Sequence, residues 1–243
     1  MTPVAASRRI GAETSRTRVQ LLDAAEHLML KEGYAAVSSR RVAAEAGVNP
    51  ALVHYYFRAM DDLFLAVYRR RAEQGFERQE QALASAQPLW ALWEFSRDPR
   101  GTALTMEFVA LANHRSAIRA EIAASARRVR DRELAAFAEV LARYGIDEEN
   151  MPPVVVAMVM SSVSRFLVIE DETLGLTTGH AETIDFVERF LTRLEGERRD
   201  GGLGGLEASD DPRRDEAPRA VGASSSPVET GSTPEPTRLP MKS

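Results

Sequence analysis

The stretch VAAEAGVNPALVHYYF, residues 42–57, has the pattern of two short helices joined by a tight turn. Gly47 allows a sharp turn, and Val48 is placed to fill the corner between the two helices. Asn49 is a favoured helix N-cap, and Pro50 falls at the first helical position, where its missing N–H costs no hydrogen bond. The stretch therefore predicts a helix-turn-helix, whose second helix enters the major groove of DNA.

Helical patterns adjoin this motif on both sides. Residues 14–32 carry apolar side chains at helical spacing and are followed by Gly33, a typical C-terminal cap. Ser38 and Ser39 offer an N-cap for the first helix of the motif. A fourth helix is expected to begin at Asp61 or the residue after it.

The rest of the chain also favours helices, because no run of alternating β-branched and polar residues is present. The predicted fold is all-α, with an N-terminal three-helix helix-turn-helix domain and a larger helical ligand-binding and dimerisation domain. These two domains are assigned to residues 14–60 and 61–197. Residues 1–13 are expected to form a flexible basic arm, and residues 198–243, rich in Gly, Pro and Ser, a disordered tail. The helices predicted after the fourth are 89–97, 102–114, 118–144, 152–172 and 178–197.

Charge and composition narrow the class of protein. The 243 residues carry a net charge of −5, but the first 75 hold 11 Lys or Arg against 8 Asp or Glu. The chain has no Cys, which removes disulfides and Cys-ligated metals and fits a reducing cytoplasm. The first residues lack the apolar run of a secretory signal. The most apolar stretch, 154–169, contains Ser and Arg and is expected to be a buried helix rather than a membrane span.

Residues 17–73 resemble the DNA-binding domain of TetR-family transcriptional regulators. The resemblance is carried by A-A-E-x-L-x-x-x-x-G-Y in the first helix, the Ser-Ser entry to the second, V-A-x-E-A-G-V, the Y-Y-F close and D-L-F in the fourth helix. One position departs from the family pattern, since Met60 stands where the family usually has a phosphate-binding Lys. That role is expected to pass to Arg58 or to the backbone amides at residues 61–62.

The chemistry of the motif indicates which residues contact DNA. Asn pairs well with adenine, Ala and Pro contact a thymine methyl group, and His donates to guanine or phosphate. Tyrosines lie against the sugar and donate to phosphate, and the resemblance makes Tyr56 the backbone-contacting tyrosine. Ser39, as the N-cap, would direct its hydroxyl to a second phosphate, whereas Leu52, Val53 and Phe57 are expected in the core. The predicted DNA-binding set is Arg18, Ser39, Arg40, Arg41, Asn49, Pro50, Ala51, His54, Tyr55, Tyr56 and Arg58. Arg8, Arg9 and Arg16 could add phosphate or minor-groove contacts, and Arg69, Arg70 and Arg71 are interpreted mainly as a solvated face.

Large apolar side chains in the second domain leave two interpretations open. They form an ordinary core, or they line a pocket for an apolar or amphipathic effector such as an acyl chain. Glu107 and Arg165 lie within apolar helices, where a charged group requires a partner. Two interpretations are open: an ion pair, internal or across a dimer, or an anchor for a ligand head group. The predicted ligand-binding set is Trp90, Trp93, Glu107, Phe108, His114, Met158 and Arg165. No cofactor and no metal site are predicted.

The expected partners are double-stranded operator DNA, a small-molecule effector and a second copy of the chain, with no membrane. A single helix-turn-helix reads few base pairs, so a dimer on a pseudo-palindromic operator is expected. The resemblance implies that the last two helices form a four-helix interface. Its predicted apolar residues are Val155, Val159, Val163 and Phe166, followed by Ile184, Val187, Phe190, Leu191 and Leu194.

Other function classes find less support in the sequence. An enzyme is not predicted, because four His, no Cys and no phosphate-binding glycine motif leave no recognisable catalytic constellation. A helical protein-interaction module, or a ligand-binding activator, remains the alternative to a repressor. Gel retardation of a specific DNA, with binding that weakens steeply as the salt concentration rises, distinguishes a DNA-binding regulator from a protein-interaction module.

Overall fold

The computed structural model describes residues 15–149 and 151–199, and in these ranges every regular element is a helix. The all-α prediction is therefore confirmed for the described chain. The predicted arm and all but the first two residues of the predicted tail lie outside the described residues. The helices are α1 Arg16–Glu32, α2 Ser39–Glu45, α3 Pro50–Tyr56, α4 Met60–Leu83, α5 Pro88–Ser96, α6 Pro99–His114, α7 Ser116–Arg143, α8 Pro153–Ile169 and α9 His180–Glu195.

Local capping explains where the first helices begin and end. Gly33 ends α1 with a φ of +83°, which a residue with a side chain adopts only with strain, and its N–H donates to the carbonyl of Met29. The Asn49 side chain accepts from the Ala51 N–H at 2.8 Å and caps α3 as predicted. The N-cap of α2 is Ser38, which accepts from the Arg41 N–H, so the assignment of the cap to Ser39 is wrong by one residue.

A first hydrophobic core joins the N-terminal helices to part of the body. It contains buried residues of α1 to α3, the first half of α4 and the inner face of α6. Val53 and Phe57 share this core with Phe64 of α4, Phe108 of α6 and Ile118 of α7. The end of the predicted first domain, at residue 60, therefore does not coincide with an edge of this core.

A second core holds the body together. It is built from α5, α7, α8 and α9, with Trp93, Phe137, Leu141 and Leu191 nearly inaccessible to solvent. The far end of α4 reaches this core through Ala82. Helix α4, with 24 residues, is about 36 Å long at 1.5 Å per residue, so one rigid element connects both cores.

Glu195 fastens the end of α9 to two other helices of the body. Its carboxylate accepts the backbone N–H groups of Leu89 and Trp90, at 2.9 and 3.0 Å, and the Tyr144 hydroxyl at 2.7 Å. Burial and this carboxylate raise the pKa of Tyr144 to about 12. The first turn of α5 thus obtains the acceptors that its own helix cannot supply.

Helix α8 is less buried than the sequence predicts. With the π-helical turn Glu170–Leu174 it forms a 22-residue helix whose most apolar 18-residue window has a mean hydropathy of 1.7, and by length and composition alone it could cross a membrane. The helix is thus longer than the apolar stretch 154–169 from which a buried helix was expected. These two properties do not identify a membrane span, because helices that pack against protein share them. One side of α8 does pack into the second core, and the other is exposed.

Candidate nucleic-acid interface

The turn between α2 and α3 has the geometry expected of a helix-turn-helix. Gly47 has a φ of +65°, and the Val48 N–H donates to the Ala43 carbonyl at 2.9 Å. Ala43 is fully buried, and Val48 packs against the first core between the helices. These contacts hold α3 at a fixed angle to α2, which is the requirement for reading a groove.

Helix α3 is divided into an inner and an outer face. Val53 is buried, and Phe57, the residue after the helix, is buried beside it. Leu52, expected in the core, is only half-buried, whereas Tyr56, expected on the DNA side, is half-buried and packs against the first core. The exposed positions are Asn49, Pro50, Ala51, His54 and Tyr55. They begin at the N-terminus of α3, which is the part of a recognition helix that reaches base edges.

The two tyrosines occupy different environments. Tyr55 is 52% exposed, and its ring meets that of Tyr56 edge to face, with 5.0 Å between the centroids. The Tyr56 hydroxyl hydrogen-bonds to the Ser15 hydroxyl at 2.7 Å. A phosphate at Tyr56 must therefore share this hydroxyl with Ser15 or replace it, whereas the Tyr55 side chain projects into solvent.

The predicted arginines also differ. Arg40, in the first turn of α2, and Arg58, after α3, are exposed. Arg41 pairs with Glu32 and lowers the pKa of that carboxyl, while Arg18 lies over the Phe57 ring at 5.4 Å. Ser39 is half-exposed beside Arg40. The exposed cations of the motif are thus Arg40 and Arg58.

Met60, at the position where the family has Lys, packs against the first core as the first residue of α4. The Asp62 carboxylate accepts the Ala59 N–H at 3.1 Å, and Asp61 pairs with Arg115. This helix start is therefore stabilised by carboxylates instead of a cation. Two groups were considered as phosphate-binding substitutes for the Lys, namely Arg58 and the backbone amides at residues 61–62. Of these, Arg58 carries a positive charge.

The structure does not bring the seven predicted ligand-binding residues together. Trp90 and Trp93 lie in the second core and Phe108 in the first, while His114, Met158 and Arg165 are exposed. Glu107 accepts the Tyr34 N–H at 2.6 Å, so its partner within the chain is the loop after α1. Of the alternatives left open for Glu107, its contact in this structure is a hydrogen bond from a backbone N–H and not an ion pair with Arg165.

Sequence reasoning missed an ionic cluster that joins α1, α4 and α6. Arg70 and Arg100 donate to the buried Glu26 carboxylate at 3.0 and 3.1 Å, and Arg71 approaches it to 3.8 Å. Two of the three consecutive arginines, interpreted as a solvated face, therefore turn inward, and Arg69 binds Glu121. The available signal was Glu26 itself, a charge on the apolar side of α1. A buried carboxylate requires a partner.

Comparisons with known proteins agree with this geometry. Residues 21–67 match the family model of bacterial regulatory proteins, tetR family. Over these residues the chain is similar to regulators of the TetR family. A curated relative, the HTH-type transcriptional regulator BetI of Brucella anthropi, is 44% identical over 61 residues, which are 25% of this chain. The match covers 31% of that relative, so the chain matches less than a third of the relative's length.

Solved structures show the same fold beyond the residues that match the family model. A putative TetR-family transcriptional regulator from Rhodococcus sp. is 17% identical with a TM-score of 0.58, over 74% of this chain and all of the other. A putative transcriptional regulator from Saccharomonospora viridis, in complex with choline, is 22% identical with a TM-score of 0.57. That comparison covers 66% of this chain and 87% of the other. The likeness thus extends over the helical body.

Proposed function

We propose that the protein is a cytoplasmic, ligand-responsive transcriptional repressor that binds a pseudo-palindromic operator as a homodimer. The observation that carries the proposal is the division of α3, whose inner face is anchored in the core while its N-terminal outer face is exposed. A helix held in this way presents side chains without a large entropic cost on binding. DNA selected from a random duplex pool by the full chain, then confirmed by gel retardation, tests the proposal.

Backbone contacts give a salt-dependent prediction. Replacing Arg40 by Ala is expected to weaken operator binding roughly tenfold and to reduce the slope of log affinity against log salt by about one. Fluorescence anisotropy over a salt series measures both quantities. Arg127→Ala, an exposed arginine on α7, is the matched control and should leave the slope unchanged. An unchanged slope for Arg40→Ala would remove Arg40 from the phosphate contacts.

The exposed apolar side of α8 supports the dimer. Val155, Val159 and Phe166 are 48, 54 and 58% exposed and lie on one side of the helix by their spacing. On α9 the predicted apolar residues pack instead against their own chain. The large apolar side chain that α9 exposes is Phe186, at 68%. Two copies of this surface would bury it, as a self-complementary two-fold interface requires.

Replacing Val159 by Asp is expected to convert the dimer to monomer, because a carboxylate at the centre of an apolar contact cannot be solvated. Sedimentation velocity measures the mass, and operator affinity should fall at least tenfold because the two reading heads are no longer linked. Val109→Asp, an exposed valine on α6, is the control. A wild-type chain that is monomeric while binding its operator tightly would refute the dimer.

We assign to α4 the transmission of ligand binding from the helical body to the DNA-binding helices. Its first half shares a core with α3, and its last turns pack on the body. A ligand that moves the body end of α4 therefore displaces the reading head. Release requires that the ligand bind the DNA-free form more tightly, typically by about 1–3 kcal/mol. The choline complex of the S. viridis protein supports small-molecule binding by a body of this fold.

A further inference from the structure

A groove between α4 and α7 combines an aromatic ring with a buried carboxylate. The groove has a volume of about 390 Å³, which is within the range of small-ligand sites. Its apolar wall includes Phe76 and Leu83 of α4 and Val140 of α7. None of the seven residues predicted as ligand-binding lines it.

One face of the Phe76 ring is already occupied by a cation of the chain itself. The Arg132 guanidinium lies over the ring at 4.6 Å from the centroid. Arg132 is exposed on α7, and its guanidinium lies at the end of a long, flexible side chain. Since cations are attracted to the face of an aromatic ring, a ligand cation of suitable shape can take the place of this guanidinium.

Glu133 supplies a carboxylate in the same groove. Its side chain is 14% exposed, it accepts from Gln79 Nε2 at 2.9 Å, and Arg130 Nε stays 3.7 Å away. Burial raises the pKa of Glu133 against the opposing effects of Arg130, Gln79 and Arg165. The existing partners thus do not fully compensate the burial of this charge, and a further cation stabilises the ionised form.

The remaining charges of the groove favour a cation over an anion. Glu80 and Glu139 line it together with Glu133, against two guanidinium groups, Arg132 and Arg143. Displacing Arg132 from the ring also moves one positive charge outward. The lining then selects a ligand with one positive charge and a compact apolar part that contacts Leu83 and Val140.

We propose that this groove binds an organic cation, with its charged group over the Phe76 ring beside Glu133 and its apolar part along α4 and α7. The proposal deepens the proposed function. It rests on that function only in the claim that ligand binding releases DNA. Phe76, Gln79, Glu80 and Leu83 all lie on α4, so an occupant contacts the helix that extends to the reading head.

The test uses the full chain and benzyltrimethylammonium as probe, with phenylacetate as the anionic probe of similar size. Isothermal titration calorimetry without DNA is expected to show binding of the ammonium at millimolar concentration or below and none of phenylacetate. Phe76→Leu and Glu133→Gln should each weaken the ammonium about tenfold. Arg132→Ala should strengthen it severalfold, because the competing guanidinium is gone.

Matched controls separate recognition from damage to the fold. Glu77→Gln on α4 and Arg127→Ala on α7 alter exposed residues that do not line the groove and should change the affinity less than twofold. No ammonium binding, preferred binding of phenylacetate, or affinities unaffected by Phe76→Leu, Glu133→Gln and Arg132→Ala would each overturn the site. Ammonium binding with these effects, but without loss of operator binding, would confirm the site and refute ligand-induced release.

Discussion

Replacing Ala51 by Glu is expected to reduce operator affinity at least a hundredfold, about 3 kcal/mol, while the protein remains folded. Ala51 is exposed at the second position of α3, on the face assigned to the major groove. A carboxylate placed there meets the negative field of the DNA, and like charges at an interface cost several kcal/mol. The same carboxylate interacts favourably with the N-terminus of α3, so the fold should be unchanged or slightly more stable.

Fluorescence anisotropy with the selected operator measures this affinity, and thermal denaturation followed by circular dichroism checks the fold. Ala135→Glu introduces the same group at an exposed site on α7 and should alter operator affinity less than threefold. Wild-type affinity in Ala51→Glu would mean that the outer face of α3 does not enter the DNA groove.

Replacing Glu26 by Ala is expected to lower the free energy of unfolding by about 3–5 kcal/mol, the usual effect of removing one partner from a buried ion pair. Glu26 is 6% exposed, and the guanidinium groups of Arg70 and Arg100 would lose the acceptor that they share. Arg71, whose pKa is already lowered by burial, would lose its nearby carboxylate as well. The three arginines would then repel one another between α1, α4 and α6.

Urea denaturation at one fixed protein concentration measures this loss, because an oligomer's stability depends on concentration. Glu26→Gln keeps one acceptor oxygen and should lose less stability than Glu26→Ala. Glu73→Ala removes an exposed carboxylate of α4 and should change the free energy of unfolding by less than about 0.5 kcal/mol. A loss below about 1 kcal/mol for Glu26→Ala would show that the cluster is solvated in solution.

The sequence allowed the helix-turn-helix to be predicted because its determinants are local. Gly47, Asn49 and Pro50 act on their own backbone, and the alternation of buried Val53 with exposed His54 follows from the helical period. The N-cap of α2 was displaced by one residue because Ser38 and Ser39 have the same capping chemistry. Local chemistry therefore gave the boundaries to within a residue or two.

The body was harder to predict, because its contacts join residues that are distant in the chain. Phe76 and Arg132 meet only because α4 packs beside α7, and no spacing in the sequence indicates that pairing. Trp90 and Trp93 were conspicuous by size, yet large side chains also fill cores, as both do here. Glu26 could have been recognised from its position among buried residues, but its arginine partners could not.

The sparse burial of α3 has a consequence for how such a regulator changes over generations. Of its seven residues only Val53 is buried, so most positions proposed to face the DNA contribute little to folding. Surface substitutions generally alter stability by less than about 0.5 kcal/mol. After gene duplication, changes at Ala51, His54 and Tyr55 can therefore give one copy a different target sequence. The inherited body would keep responding to the same chemical signal, and a cell would thereby gain a second set of genes under its control.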